Sequence, residues 1–465
     1  MLQRGPWKPP FAVGANHRKR RAHGLRDILP IVCMLSSRPL TLSIWMEVNL
    51  PEILAPGIFV QETSFAGQPI EGVSTSIAAF IGLTERGPFG AVSPIFSSYA
   101  EFEREYGGDN DLIVDGHSFT NYIAHAVRKF IDNGGDQLLV VRVSPPLTQT
   151  KSTVRPISNI IRGFFDRFAR SRFGTRKAPT ATYRDALRRL EGASQVSIIA
   201  APNAAHALSD TAEAAAHLRS VHAEMIVHAD RMQHRIAVLD PPPSQSPQEV
   251  ATFASTLDSS HAALYYPWLQ DAATELRILI LPPSGAICGI YARTDRQRGV
   301  WKAPANATIN GISGFERDIH TAEQEALNPI GVNVSRKISG RGMRLWGART
   351  LSSDPEWRYV SVRRYLSFLK KSISDGLDWT VFEPNGEPLW AECKNHIDVF
   401  LIENWRQGAL RGQTASDAFF VRCDRTTMTQ SDIDNGRLIA EIGVAVLKPA
   451  EFQIFKISKN LSDAI

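Results

Sequence analysis

The strongest constraint on this chain is a repeated alternation in which an amphipathic stretch leads into a short apolar run that stops on proline. "YRDALRRLEG" leads to "SQVSIIAAPN", "DTAEAAAHLRSVHAEMIVHADR" to "HRIAVLDPPP" and "PQEVATFASTLDSS" to "AALYYPWL", and "LRILILPP" closes the series. Proline has no N–H to give a ladder, so each stop marks the carboxyl end of a strand. Helices and strands alternating on short links build a parallel sheet. The same unit occurs earlier, where Tyr122, Ile123, Ala126, Val127 and Phe130 share a helix face that ends at Gly134-Gly135 before "DQLLVVRV". An α/β domain with a mainly parallel sheet is therefore expected over residues 73–325.

Beyond about residue 326 the alternation breaks. "EWRYVSVRRYLSFLKKSISDG" and "EPLWAECKNHIDVFLIENWRQGAL" read as helices, and "DAFFVRCD", "RLIAEIGVAVLKP" and "EFQIFKIS" as strands, which together make an α+β domain over 326–449 and a terminal strand over 450–465. That last strand carries Phe452 and Ile454 on one face and Phe455 and Ile457 on the other. A strand apolar on both faces belongs between layers or in another chain's sheet. Near the other end, "GIFVQE" (57–62) is too short and isolated to be stable alone.

The 465 residues suggest two or three domains, and no apolar run is long enough to span a membrane as a helix. The net charge of +5 would suggest a nucleic-acid or membrane partner, but residues 1–46 hold eight basic side chains and one acid, so the rest of the chain is slightly acidic. Segment 1–46 is expected to be a disordered basic leader or an extension ahead of a true start at Met46, with export or a nucleic-acid-binding arm as the other readings. A second basic stretch, 144–181, interrupts the α/β pattern and places Ile157, Ile160, Ile161, Phe164, Phe165 and Phe168 at helical spacing. It is read as a surface insertion packing on its own domain or a neighbouring copy, with membrane-surface binding as the alternative.

Catalytic patterns are sparse. Cys33, Cys288, Cys393 and Cys423 form no close pair of the kind that metal or redox motifs use. Gly340-Arg341-Gly342 lacks the third glycine of a dinucleotide loop. His217 and His228 share a helix face but lie about 16 Å apart at ~1.5 Å rise per residue, too far for one ion. Asp240 and Ser284-Gly285 stand where an α/β sheet places binding groups, at strand carboxyl ends. A scattered Ser–His–Asp triad stays open. No cofactor is expected.

Particular blocks, in fixed order, carry a resemblance. "PGIFVQE", "PIEGVSTSIAAFIGLTERGP", "PPSGAICGIYARTDRQRGVWKAPAN", "LNPIGVNVSRKISGRGMRLWGARTLSSDPEWRYVSVRRY", "FEPNGEPLW", "DAFFVRCDRTTMTQSDIDNG" and "KPAEF" together resemble the sheath proteins of contractile phage tails and related injection systems. The likeness runs from about 47 to 465 and leaves out 1–46 and 144–181. It implies a non-enzymatic subunit that stacks in hexameric rings around an inner tube and contracts to drive that tube through an envelope. Its partners would be further copies, the tube protein, and baseplate and tail terminator proteins; it would assemble in the host cytoplasm and reside in the tail.

The resemblance also assigns residues. The N-terminal arm, 47–72, and the C-terminal arm would add strands to neighbouring subunits through Ile58, Phe59, Val60 and Gln61 and through Phe452, Ile454, Phe455 and Ile457. The cluster Arg293, Asp295, Arg296, Arg298 and Trp301 resembles an anion grip, but on this account it fixes the junction between the two domains. The tube contact itself is read as Arg363, Arg364, Lys370 and Lys371, on a helix predicted over 357–375, with an ordinary solvated helix face as the alternative.

Overall fold

The computed structural model describes residues 69–114, 117–144, 182–202, 204, 211–274 and 277–461. Residues 1–46, the 57–62 strand with Ile58 to Gln61, and all of the 144–181 insertion except Ser144 lie outside them.

Sixteen strands are numbered along the described chain: β1 Ala78–Gly82, β2 Leu112–Val114, β3 His117–Phe119, β4 Leu138–Arg142, β5 Ile198–Ala200, β6 Ile236–Leu239, β7 Ala262–Tyr266, β8 Leu269–Thr274 and β9 Arg277–Leu281 in the first half. The second half adds β10 Ala307–Thr308, β11 Gly314–Phe315, β12 Val332–Ile338, β13 Gly342–Leu345, β14 Phe419–Arg422, β15 Arg437–Val444 and β16 Gln453–Asn460. The principal sheet runs β10-β13-β12-β7-β6-β5-β1-β4, parallel from β12 to β4 and antiparallel at the β10-β13-β12 edge.

Why these strands are nearly all apolar is seen in β1: Ala79 and Ile81 enter one core, Ala78 and Phe80 the other. A parallel sheet covered by helices on both faces cannot show hydrophobic–polar alternation. Helices α1 (Tyr99–Tyr106) and α2 (Tyr122–Asp132) come first, followed by α3 (Tyr183–Leu190), α4 (Thr211–Met232), α5 (Pro247–Ala254) and α6 (Ser284–Arg298). One face is covered by α3, α4 and α5 through Leu187, Leu190, Val221, Met225 and Phe253. The other is covered by α2 and α6 through Ile123, Val127, Phe130, Ile287 and Ile290.

Two sequence boundaries are corrected by this topology. The expected last strand of the series, β9, pairs with β8 in a separate antiparallel sheet, β11-β8-β9. The principal sheet instead continues past residue 325, because β12 lies parallel to β7, with Val332 opposite Leu264 and Val334 opposite Tyr266. The α/β body thus extends to Leu345. Gly340 and Gly342, at φ 71° and 74°, make the tight β12–β13 turn, a conformation that favours glycine.

After α7 (Thr321–Leu327) come α8 (Val360–Gly376) and α9 (Glu387–Arg406), which pack on the three-stranded antiparallel sheet β14-β15-β16. Leu366, Leu369 and Ile373 of α8 share this core with Trp390, Ile397 and Leu401 of α9 and Leu438, Ile442 and Val444 of β15. The terminal strand lies on its own chain's β15, from Val444 opposite Gln453 to Arg437 opposite Asn460. Phe455 and Ile457 are buried, Phe452 packs edge-on against Phe420 at 5.2 Å, and Ile454 is 59% exposed. Within this chain the strand is therefore covered on one face, where a place between layers or in another chain's sheet was expected.

Candidate functional site: the seam between sheet and C-terminal helices

The stretch "GIYARTDRQRG" is not a linker. It is the second half of α6, whose residues Ser284 to Ala292 are all buried. A Cβ on Gly285 would stand 2.6 Å from Ala126 Cα and one on Gly289 2.3 Å from Phe130 O, so the two glycines, one turn apart, let α6 pack directly on the α2 backbone. That close approach fixes where the charged end of α6 points.

At that end Asp295 meets Arg364 of α8. Arg364 donates from Nη1 to Oδ1 at 2.9 Å and from Nη2 to Oδ2 at 2.5 Å, and the two side chains are 5% and 4% exposed. Thr75, where the chain enters the sheet, ties in twice: its Oγ1 donates to Asp295 Oδ2 at 2.7 Å, and its carbonyl accepts from Arg364 Nη2 at 2.8 Å. The guanidinium lies over the Tyr291 ring at 4.7 Å, and Tyr291 shares a short hydroxyl contact with Tyr265 of β7. Burial lifts the Asp295 carboxyl above its ordinary range, against the pull of Arg364 and Thr75. Burial likewise works against the Arg364 charge, but Asp295 outweighs it and raises the pKa. Three pieces of chain, the entry segment, α6 and α8, are joined here by one bidentate contact.

The other members of the cluster have separate roles. Arg293 donates to the Thr308 carbonyl at 2.7 Å, Arg296 bonds Asp136 and the Gly134 carbonyl, and Arg298 is exposed. Trp301 packs edge-on against Tyr365 of α8 at 6.0 Å. Sequence reasoning missed Thr75, Tyr265 and Tyr291; the Gly285/Gly289 spacing was the available signal that α6 is a packed helix.

Arg363 and Arg364 do not face outward as a tube contact requires. Arg364 is engaged with Asp295, and Arg363, also 5% exposed, stacks over Trp357 at 3.9 Å. Their side of α8 is covered by the sheet body, where Ser367 donates to the Gln233 carbonyl at 2.7 Å. Lys371 pairs with Asp375 at 2.6 Å, and Lys370 sits 5.8 Å from the Phe455 ring.

The groups at the sheet's carboxyl edge meet each other. Asp240 accepts from Ser284 N at 2.8 Å and from Ser284 Oγ at 2.6 Å, and so caps α6, where a carboxylate is favoured by the helix dipole. Ser259, Asp230 and His261 do converge, but Ser259 Oγ donates to Asp230 at 2.8 Å and His261 Nδ1 reaches the same oxygen at 2.9 Å. A hydrolytic triad needs the serine on His Nε2; here that nitrogen is buried without a partner. His217, His222 and His228 of α4 go to Tyr183, Phe253 and Arg235 respectively. Among the described residues no three His, Cys, Asp or Glu side chains gather as metal ligands.

These polar groups hold elements of the fold to one another. Comparison with known proteins gives the chain its family. Residues 177–351 match the phage tail sheath protein central domain, and residues 352–459 the phage tail sheath C-terminal domain. The join falls just after β13 completes the principal sheet. A prophage major tail sheath protein of Pseudomonas aeruginosa (strain UCBPP-PA14) is 29% identical over 48% of this chain and 57% of its own length. The tail sheath protein of Vibrio phage KVP40 is 31% identical over 40% of this chain and 27% of its own length. The chain thus spans less than two thirds of these relatives. The helical sheath of the anti-feeding prophage in its contracted state superposes with a TM-score of 0.64 at 27% identity, covering 86% of this chain and 98% of that one. The chain belongs to the contractile tail sheath family and is a structural sheath subunit.

Proposed function

We propose that the subunit polymerises as stacked hexameric rings around an inner tube, and that the rings contract to drive the tube through a target envelope. The observation that carries this reading is the position of β16: a strand at the end of the chain, at the edge of a three-stranded sheet, reached through the exposed stretch 447–451. The same backbone ladder forms equally well on a neighbour's β15, and exchange of that strand links subunits head to tail without new chemistry. The N-terminal arm with Ile58 to Gln61 would supply a further strand to an open edge. Contraction then re-packs subunits whose sheet bodies move as rigid units while the arms bend. The Asp295–Arg364 seam keeps body and C-terminal helices together through that motion. Lys370 remains the proposed contact with the tube, and baseplate and tail terminator proteins are the expected partners at the ends.

Cysteines at Glu441 and Lys456, opposite each other in the β15–β16 register, distinguish the two pairings. Oxidised assemblies that run as a ladder of covalent multimers on a non-reducing gel support exchange. Assemblies that run only as cross-linked monomers refute it.

A further inference from the structure

The β12–β13 hairpin carries charge of one sign. Arg336, Lys337, Arg341 and Arg344 fall within nine residues, and the chain has no acid between Glu325 and Asp354. Arg336 stands directly opposite Arg344 in the ladder, a pairing of like charges that weakens a hairpin. Both meet neutral groups: Arg336 donates to Gln324 Oε1 at 2.7 Å and Arg344 to the Asn306 carbonyl at 2.9 Å. Lys337 and Arg341 are exposed, and among the described residues no carboxylate comes within ion-pair distance of any of the four. The hairpin also projects. β12 pairs with β7 only as far as Val334 opposite Tyr266, the last residue of β7, so Ser335 to Ile338 run roughly 13 Å beyond that strand's end.

The opposite border of the principal sheet carries the complementary charge. β4 forms that border, and Phe89 to Phe96 bridge to it and lead into α1, whose Phe102 and Tyr106 join the core. Residues 85–111 hold six acids and two arginines, a net of −4 against the +4 of the hairpin. Glu103 is exposed and Glu105 half-buried, and neither makes an ion pair among the described residues. Arg86 N donates to the Tyr106 carbonyl and Gly108 N to Glu85, so the acidic end of α1 sits just past Gly82, the carboxyl end of β1. Hairpin and acidic patch therefore stand at the same end of the parallel strands, on opposite borders of one sheet.

We propose that the basic β12–β13 hairpin of one subunit docks on the acidic α1 patch of the next. The two surfaces differ and lie on opposite borders, so the contact is head-to-tail: repeating it closes a ring or extends a helix instead of stopping at a dimer. It rests on the ring-forming subunit proposed above and adds a surface separate from strand exchange at β16. Opposed patches of opposite sign steer the approach of a neighbour and disfavour a reversed one, hairpin against hairpin. The acids of the neighbour also offset the repulsion between Arg336 and Arg344, which the lone chain bears without a counter-charge.

The test uses the full chain produced with its tube and baseplate proteins, with polymers measured by sedimentation and electron microscopy. Lys337→Glu with Arg341→Glu, and separately Glu103→Lys with Glu105→Lys, should each raise the concentration needed for polymers at least about tenfold. None of the four side chains is buried, so the melting midpoint of each variant should stay within about 2 °C of the native chain. A chain carrying all four reversals restores opposite signs across the contact and should polymerise within about threefold of the native concentration. Polymers insensitive to both reversals overturn the contact and leave the sheath reading standing. A loss that the fourfold variant does not restore overturns it too. Loss in only one of the two variants also overturns it, because that patch then meets something else: another acidic surface for the hairpin, or the basic 144–181 stretch for α1. A native chain that never polymerises overturns the sheath reading and this contact with it.

Discussion

Asp295 and Arg364 are separated by 69 residues yet form a bidentate, nearly inaccessible ion pair that bolts α6 to α8. Replacing Asp295 by Asn strands a buried guanidinium, which typically costs about 3–5 kcal/mol. Denaturant unfolding of Asp295→Asn should show a loss of that size. The double variant Asp295→Leu with Arg364→Met should recover most of it, since a well-packed apolar pair can replace a buried ionic one. Equal losses in single and double variants would show that the pair itself is not the source.

Gly289 faces the Phe130 carbonyl with no room for a methyl group. Alanine is the better helix former by about 1 kcal/mol, so an unpacked α6 would be stabilised by Gly289→Ala. The packed α6 described above predicts the opposite sign, a loss of about 1–3 kcal/mol. Gln297→Ala, at an exposed position of the same helix, should stay within about 0.5 kcal/mol.

His222 is held neutral by burial, its pKa pulled down to about 3 from the ordinary 6.5. The folded state therefore takes up its proton later than the unfolded one. Its contribution is complete above pH 6.5 and is lost as pH falls toward 3. At pH 5 the loss is about 2 kcal/mol relative to pH 7. His222→Leu, which keeps the contact with Phe253 apolar, should flatten the stability-against-pH curve by that amount between pH 7 and pH 5.

The fold was legible where periodicity is local. The α/β series up to β7, both C-terminal helices and the three closing strands stand where the sequence pattern puts them. What pattern could not show was long-range pairing. Val332 to Ile338, with Asn333, Ser335, Arg336 and Lys337 among its seven residues, does not read as a buried strand, and only the ladder to Leu264–Tyr266 reveals that it belongs to the principal sheet. The Arg293 to Arg298 cluster was noticed for its charge and assigned to a passage between domains, whereas its helix is fixed by Gly285 and Gly289 behind it. Arg363 and Arg364 look like an exposed basic pair because nothing in the local sequence announces that α8 is covered on their side. Asp295 supplied half of the seam, and its partner sat in the residues assigned to the tube.

Removing 450–465 withdraws β16 with Phe455 and Ile457 but touches neither face of the principal sheet. The truncated chain should keep a cooperative melt from the sheet body and lose polymerisation. Unchanged polymers would show that the terminal strand links nothing.

The most direct test of the account is negative-stain electron microscopy of the expressed chain, alone and together with its tube and baseplate proteins. A sheath subunit should give wide, hollow, helically ordered tubes or stacked rings. A chain that stays monomeric under both conditions would contradict the account.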